Sequence, residues 1–118
     1  LASVTAALVG SWIQVSGGAW TPTAEQVLEI QRNIRPFVQR ETAKQRQRIP
    51  KWSRYSFQYQ GVMENQRKFV LIKASCNPLP PHAKEQFIFV LDGGTCYFDI
   101  KYDPETRHFF EFEFNGVA

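Results

Sequence analysis

Apolar positions along this chain follow two periods, and the change falls near Pro50. Between Thr21 and Gln47, Val27, Ile30, Ile34 and Phe37 recur at three- and four-residue intervals, which places them on one stripe of a helix. Thr21 can cap that helix with Pro22 in its first turn, where a missing N–H costs nothing; Thr23 with Gln26 offers a competing capping box. Pro36 removes a backbone donor, so a kink or break is expected between Asn33 and Arg35. The stretch after Phe37 is polar and reads as a frayed extension, and Pro50 ends any helix.

From Lys51 the period becomes two. Tyr55, Phe57 and Tyr59 share one face, with Arg54, Ser56, Gln58 and Gln60 on the other. A polar turn at Met63–Lys68 then makes the next strand antiparallel, with Val70, Ile72, Ala74 and Cys76 on one face. Asn77–Gln86 holds three prolines and reads as a loop. Phe87–Leu91 is a short, nearly continuous apolar run. Alternation resumes with Cys96, Phe98, Ile100 and Tyr102 facing one way, and Asp103–Thr106 is a turn with proline at its second position. The last strand puts Phe110, Phe112 and Phe114 inward and Glu111 and Glu113 outward. This order predicts an α+β fold, one N-terminal helix packed on a curled four- to five-stranded antiparallel sheet, each layer burying the other's apolar face.

The start of the chain, LASVTAALVGSWIQVSGGAW, breaks both patterns. It opens with about fifteen mostly apolar, uncharged residues followed by Ser16, Gly17, Gly18 and Ala19. This resembles the apolar and cleavage regions of a secretory signal without its basic leader, with Trp20 beginning the mature chain; the alternative is an ordinary buried helix or strand. The domain division is therefore residues 1–19 as a remnant of an export signal or an N-terminal apolar segment, and residues 20–118 as a single α+β domain. The expected place is the periplasm or the exterior, with attachment to a membrane through the N-terminus as the variant of that reading. The 118 residues are 43% hydrophobic and 14% aromatic, enough for a core without help from a metal or cofactor. A net charge of +3 is too small to call for nucleic acid.

Cys76 ends one strand and Cys96 begins another, both on inward faces, so antiparallel pairing of those strands brings the thiols together. An even cysteine count in an exported chain favours a disulfide; free buried thiols, or a nucleophile served by His82 or His108, are the alternatives. No Cys or His pair has metal-ligand spacing, and no metal site is expected. Glu111/Glu113 and Asp103/Glu105 are spaced for a general acid–base pair, though such residues more often form a solvated face. Arg32, Arg35, Arg40, Lys44, Arg46, Arg48, Lys51 and Arg54 stand against a single acid, Glu41, while the C-terminal strands are rich in Asp and Glu. Arg46, Arg48, Lys51 and Arg54, with Trp52 and Tyr55 beside them, form a candidate contact for anionic lipid or an acidic partner. Asp92-Gly93-Gly94 supplies a sharp corner, and Asp92 is the acid most open to a binding role.

Helix-then-meander order resembles the cystatin-like fold. More narrowly, Trp20-Thr21-Pro22, Tyr55–Val62 and the final Asp92-Gly93-Gly94, Tyr97-Phe98, Asp103-Pro104 and Asn115-Gly116-Val117-Ala118 look like a group of small bacterial exported proteins of unknown function. That resemblance spans residues 20–118 and implies a fold and a compartment but no activity. True cystatins carry an N-terminal glycine, a Gln-x-Val-x-Gly hairpin and a Pro-Trp hairpin; this chain offers Gly17-Gly18, then Gln58-Tyr59-Gln60-Gly61, and no Pro-Trp. The functional expectation is a non-catalytic binding or interaction module meeting an unidentified protein partner at the cell envelope. Inhibition of a secreted or periplasmic peptidase comes second and a small hydrolase third.

Overall fold

The structure, a computed structural model, describes residues 11–115. It is α+β, with one α-helix among the described residues and a five-stranded mixed sheet. In chain order the elements are β1 (Trp12–Gln14), α1 (Ala24–Lys44), β2 (Ser56–Glu64), β3 (Arg67–Ser75), β4 (Tyr97–Asp103) and β5 (His108–Phe114). Strand order is β1-β2-β3-β4-β5.

β2 to β5 form the expected antiparallel meander, but β1 lies parallel to β2, with Trp12 opposite Phe57 and Gln14 opposite Tyr59. The sheet is therefore mixed, not antiparallel throughout. Parallel neighbours need a long crossover, and α1 with its flanking segments supplies it. Residues 12–19, grouped in the sequence reading with the apolar leader, lie in this folded unit, as does Trp20. Trp12 stacks on Phe57 at 4.2 Å, Val15 is buried, and Trp20 bridges Gly61. Residues 1–10 of the proposed signal remnant lie outside the described residues.

Of the two caps read from the sequence, Thr23 is the one used. Its Oγ1 accepts from the Gln26 N–H at 3.1 Å and its own N–H donates to Gln26 Oε1 at 2.8 Å. α1 then runs through Pro36 as one continuous helix, so of the expected kink or break the break does not occur. The buried residues Ile30, Ile34, Val38 and Thr42 keep four-residue spacing across the proline. Proline sits on the exposed side, so the buried residues of the opposite side keep their packing across it. Strict four-residue spacing winds around a helix by about 40° per step, which lets the stripe follow a twisted sheet. Thr42, the last of the stripe, meets its polar need internally, donating to the Val38 carbonyl at 2.8 Å.

The inner sheet face carries Phe57, Val70, Ile72, Ala74, Phe98, Ile100 and Tyr102, closed by the helix stripe and by Trp52 and Tyr55. β5 departs from strict alternation. Its register with β4 jumps between Asp99/Glu113 and Lys101/Phe110, leaving Glu111 and Phe112 against Ile100, and Glu111 has φ 51°. The bulge turns Phe109, Phe112 and Phe114 to the core and sends Phe110 to the outer face against Phe69. The inward assignment thus holds for Phe112 and Phe114 and fails for Phe110.

Candidate functional site

One end of the sheet gathers most of the residues singled out by chemistry. There β2 and β4 begin and β3 and β5 end, with Ser56 opposite Ser75 and Ser75 opposite Tyr97. Cys76 and Cys96 are joined by a disulfide with Cα atoms 4.9 Å apart, and the Cys76 N–H donates to the Cys96 carbonyl at 2.8 Å. The pairing follows from the alternation that put both thiols at neighbouring strand ends, and it leaves no free cysteine among the described residues. Residues 77–95 thus form a loop closed at its base by a covalent bond.

This loop does not hang free. From Pro81 to Lys84 it makes a short 3-10 turn whose Ala83 is buried, then folds against the outer face of β2. Gln58 grips it there with its whole amide: Nε2 donates to the carbonyls of Ala83 at 2.6 Å and Gln86 at 2.9 Å, and Oε1 accepts from the Ile88 N–H at 2.9 Å. Gln58 is only 1% exposed, and a buried amide with both donors and its oxygen hydrogen-bonded is a specific anchor. Further along, Asn115 Nδ2 donates to the Val90 carbonyl at 2.7 Å. The Tyr55 hydroxyl donates to the Thr95 carbonyl, and burial pushes that phenol well above the ordinary tyrosine range. Sequence reasoning placed Gln58 on the polar face and missed this role. The available signal was a loop of some twenty residues, which a small domain must lay against something.

Between these anchors the chain offers its side chains to solvent. Phe89 is 80% and Leu91 82% exposed, far above Met63 at 46%, the other exposed large hydrophobic residue among those described. The run Phe87–Leu91 forms no strand, so its apolar character is not that of a core element. Asp92 follows, exposed. Gly93 has φ 116° and Gly94 φ 57°, as a sharp corner requires; a Cβ on Gly93 would lie 2.6 Å from the Tyr97 ring. The corner leads into a 3-10 turn, Gly94–Cys96, that delivers the chain to β4.

The basic segment lies at the same end. Glu29, early in α1, pairs with Arg107 in the β4–β5 turn, so the helix ends at the disulfide side. From there the connection to β2 carries Arg46, Arg48, Lys51 and Arg54, all exposed and none in an ion pair among the described residues. Trp52 is not a surface partner for these cations, contrary to the sequence reading. It is 7% exposed and packs on Tyr55 at 5.4 Å and Phe57 at 5.6 Å, pinning the basic connection to the core. Tyr55 is likewise buried.

Two of the four carboxylates considered for acid–base work, Asp103 and Glu111, are occupied otherwise. Asp103 Oδ1 accepts from the Glu105 and Thr106 N–H groups at 2.8 and 3.3 Å, and Oδ2 pairs with Arg67, so this aspartate builds the β4–β5 turn. Burial raises its pKa, but the two backbone donors and Arg67 outweigh it and hold the carboxyl below the ordinary aspartate range. Glu111 accepts from Lys101 Nζ at 2.7 Å. Lys73–Asp99 at 2.9 Å makes the outer face of β3 and β4 another paired region. The acids of the C-terminal strands are thus largely neutralised locally, while the cations of the α1–β2 connection are not. Among the described residues no three His, Cys, Asp or Glu side chains converge on a point, and no helix is long and apolar enough to cross a membrane. No family model, curated protein or solved structure matches this chain.

Proposed function

We propose that this protein is a non-catalytic binding module of the cell envelope, exported and cystatin-like in architecture, that meets its partner with the tip of the disulfide-bounded loop. The observation that carries this reading is the pair Phe89 and Leu91, held out at 80% and 82% exposure by anchors on both sides. Large apolar side chains in solvent gain nothing for the fold, and fixing their backbone beforehand lowers the ordering cost of binding. A disulfide at the base of the loop supports an oxidising compartment. The helix laid across one face of a meander supports the cystatin-like description. The inhibitor reading draws no support from Gln58-Tyr59-Gln60-Gly61, which lies within β2 rather than at a hairpin tip.

The test is a double variant, Phe89→Ser with Leu91→Ser, compared with the parent protein for retention of envelope components, lipid and protein, on immobilised protein. Both substitutions are at exposed positions, so Tm is expected to stay within about 2 °C. Material retained by the parent and lost from the variant is the expected result. Equal retention by the two sinks this surface as the contact.

A further inference from the structure

Resting on that reading of the loop, we infer that the partner is the surface of an anionic lipid bilayer. Phe89 and Leu91 enter the acyl boundary, and Arg46, Arg48, Lys51 and Arg54 lie at the phosphate level. Three observations carry this beyond a generic apolar patch. First, the apolar residues stand on a loop at the rim of a shallow pocket that they share with Tyr97 and Asn115, and each is four-fifths exposed. An exposed pair suits a soft phase that closes around it. Second, the cations share their end of the molecule: Tyr55, next to Arg54, hydrogen-bonds Thr95 of the loop, and Trp52 locks Lys51 and Arg54 against the core at that end. Third, those four cations lack acidic partners among the described residues, whereas Asp99, Asp103 and Glu111 of the C-terminal strands are each paired with a cation. Unpaired guanidinium and ammonium groups beside exposed apolar side chains complement a surface that is negative outside and apolar beneath. Neither component is strong alone, since stable attachment to a bilayer takes two signals, one apolar and one electrostatic. Asp92, directly after Leu91, and Glu113, which lines the pocket beside Phe89 and Leu91, are exposed acids at the same place, and they set a limit on how deeply the tip enters.

Sedimentation with vesicles tests this, using phosphatidylcholine alone and phosphatidylcholine with phosphatidylglycerol. The parent protein is expected to bind the anionic vesicles at low salt and to lose about tenfold or more of that binding in 0.5 M NaCl. Phe89→Ser with Leu91→Ser is expected to lower binding about tenfold or more. Arg46→Gln with Arg48→Gln should lower it about tenfold on anionic vesicles only, and Asp92→Asn should raise it. Absence of binding by the parent protein at low salt overturns the lipid inference, as does equal binding by the parent and the Phe89/Leu91 variant. If the parent ignores vesicles yet its retention of an envelope protein depends on Phe89 and Leu91, the contact surface stands and the lipid inference falls. If retention also ignores those residues, both fall.

Discussion

Gly61 owes its identity to a neighbouring backbone, and nothing in the sequence around it announces this. A Cβ there would lie 2.1 Å from the Trp20 carbonyl oxygen, where the entry to α1 crosses β2. Trp20 is itself fixed, its Nε1 donating to the carbonyls of Val62 at 2.9 Å and Phe69 at 3.1 Å, so the carbonyl cannot easily retreat. Gly61→Ala is therefore expected to cost about 3 kcal/mol and to lower Tm by about 10 °C. Gly93→Ala meets the Tyr97 ring, a side chain that can turn aside, and should cost less, about 1–2 kcal/mol. Thermal melts of the two variants check the order; a larger loss at Gly93 would contradict it. At this scale the sequence made legible what alternation and spacing encode: the inward Phe57, Ile72, Phe98 and Ile100, and the meeting of Cys76 with Cys96. Gln58 and Trp52 were not legible. A glutamine between aromatics and a tryptophan among cations both look solvated until the loop or the core that covers them is placed.

Among the elements, the disulfide-bounded loop is the one whose character most depends on a single bond. Closing twenty residues stabilises by about 3 kcal/mol through the unfolded chain. The loop has a second, non-covalent anchor in Gln58, which holds Ala83, Gln86 and Ile88 regardless of the bond. Cys76→Ala with Cys96→Ala is thus expected to lower unfolding free energy by about 3 kcal/mol and to loosen only the far half of the loop. Limited chymotrypsin digestion reads this: cleavage at Phe89 and Leu91 should accelerate while Phe87, half-buried beside the Gln58 clamp, stays slow. Uniform acceleration at all three would mean the glutamine anchor fails without the bond. Element type followed the period wherever an element was long, as in α1 and β2 to β4. The failures share a cause, tertiary contact overriding a local rule. Pro36 is carried through by the buried stripe, β1 is three residues hidden in an apolar run, and the β5 bulge rests on Glu111, a residue without glycine's freedom at φ 51°.

At the scale of the whole molecule the two ends differ in how their charges are satisfied. The loop end carries unpaired cations; the opposite end, with the β2–β3 and β4–β5 turns, is tied by Arg67–Asp103 and by Arg107–Glu29, the latter joining helix to sheet. That second tie holds the Glu29 carboxyl below the ordinary glutamate range, chiefly through the hydrogen bond from Arg107. Asp103 is shifted the same way, with burial opposing and the Glu105 and Thr106 N–H groups and Arg67 prevailing. A carboxyl whose folded pKa is depressed binds a proton more readily in the unfolded chain. Its stabilising contribution is fully present above the ordinary carboxylate range, about pH 4, and is lost as pH falls through the lower folded value. Acid should therefore weaken the turn end before it reaches the loop end, where disulfide and amide contacts carry no titrating carboxylate. Asp103→Asn keeps an oxygen for the Glu105 and Thr106 donors and removes the charge opposite Arg67. It is expected to cost about 1 kcal/mol at pH 7, Arg67 being largely exposed, and to flatten the decline of stability between about pH 4 and pH 2. Urea unfolding of the parent and variant across that range measures the slope directly. Parallel declines would remove Asp103 as the group responsible and leave Glu29 to be tested in the same way.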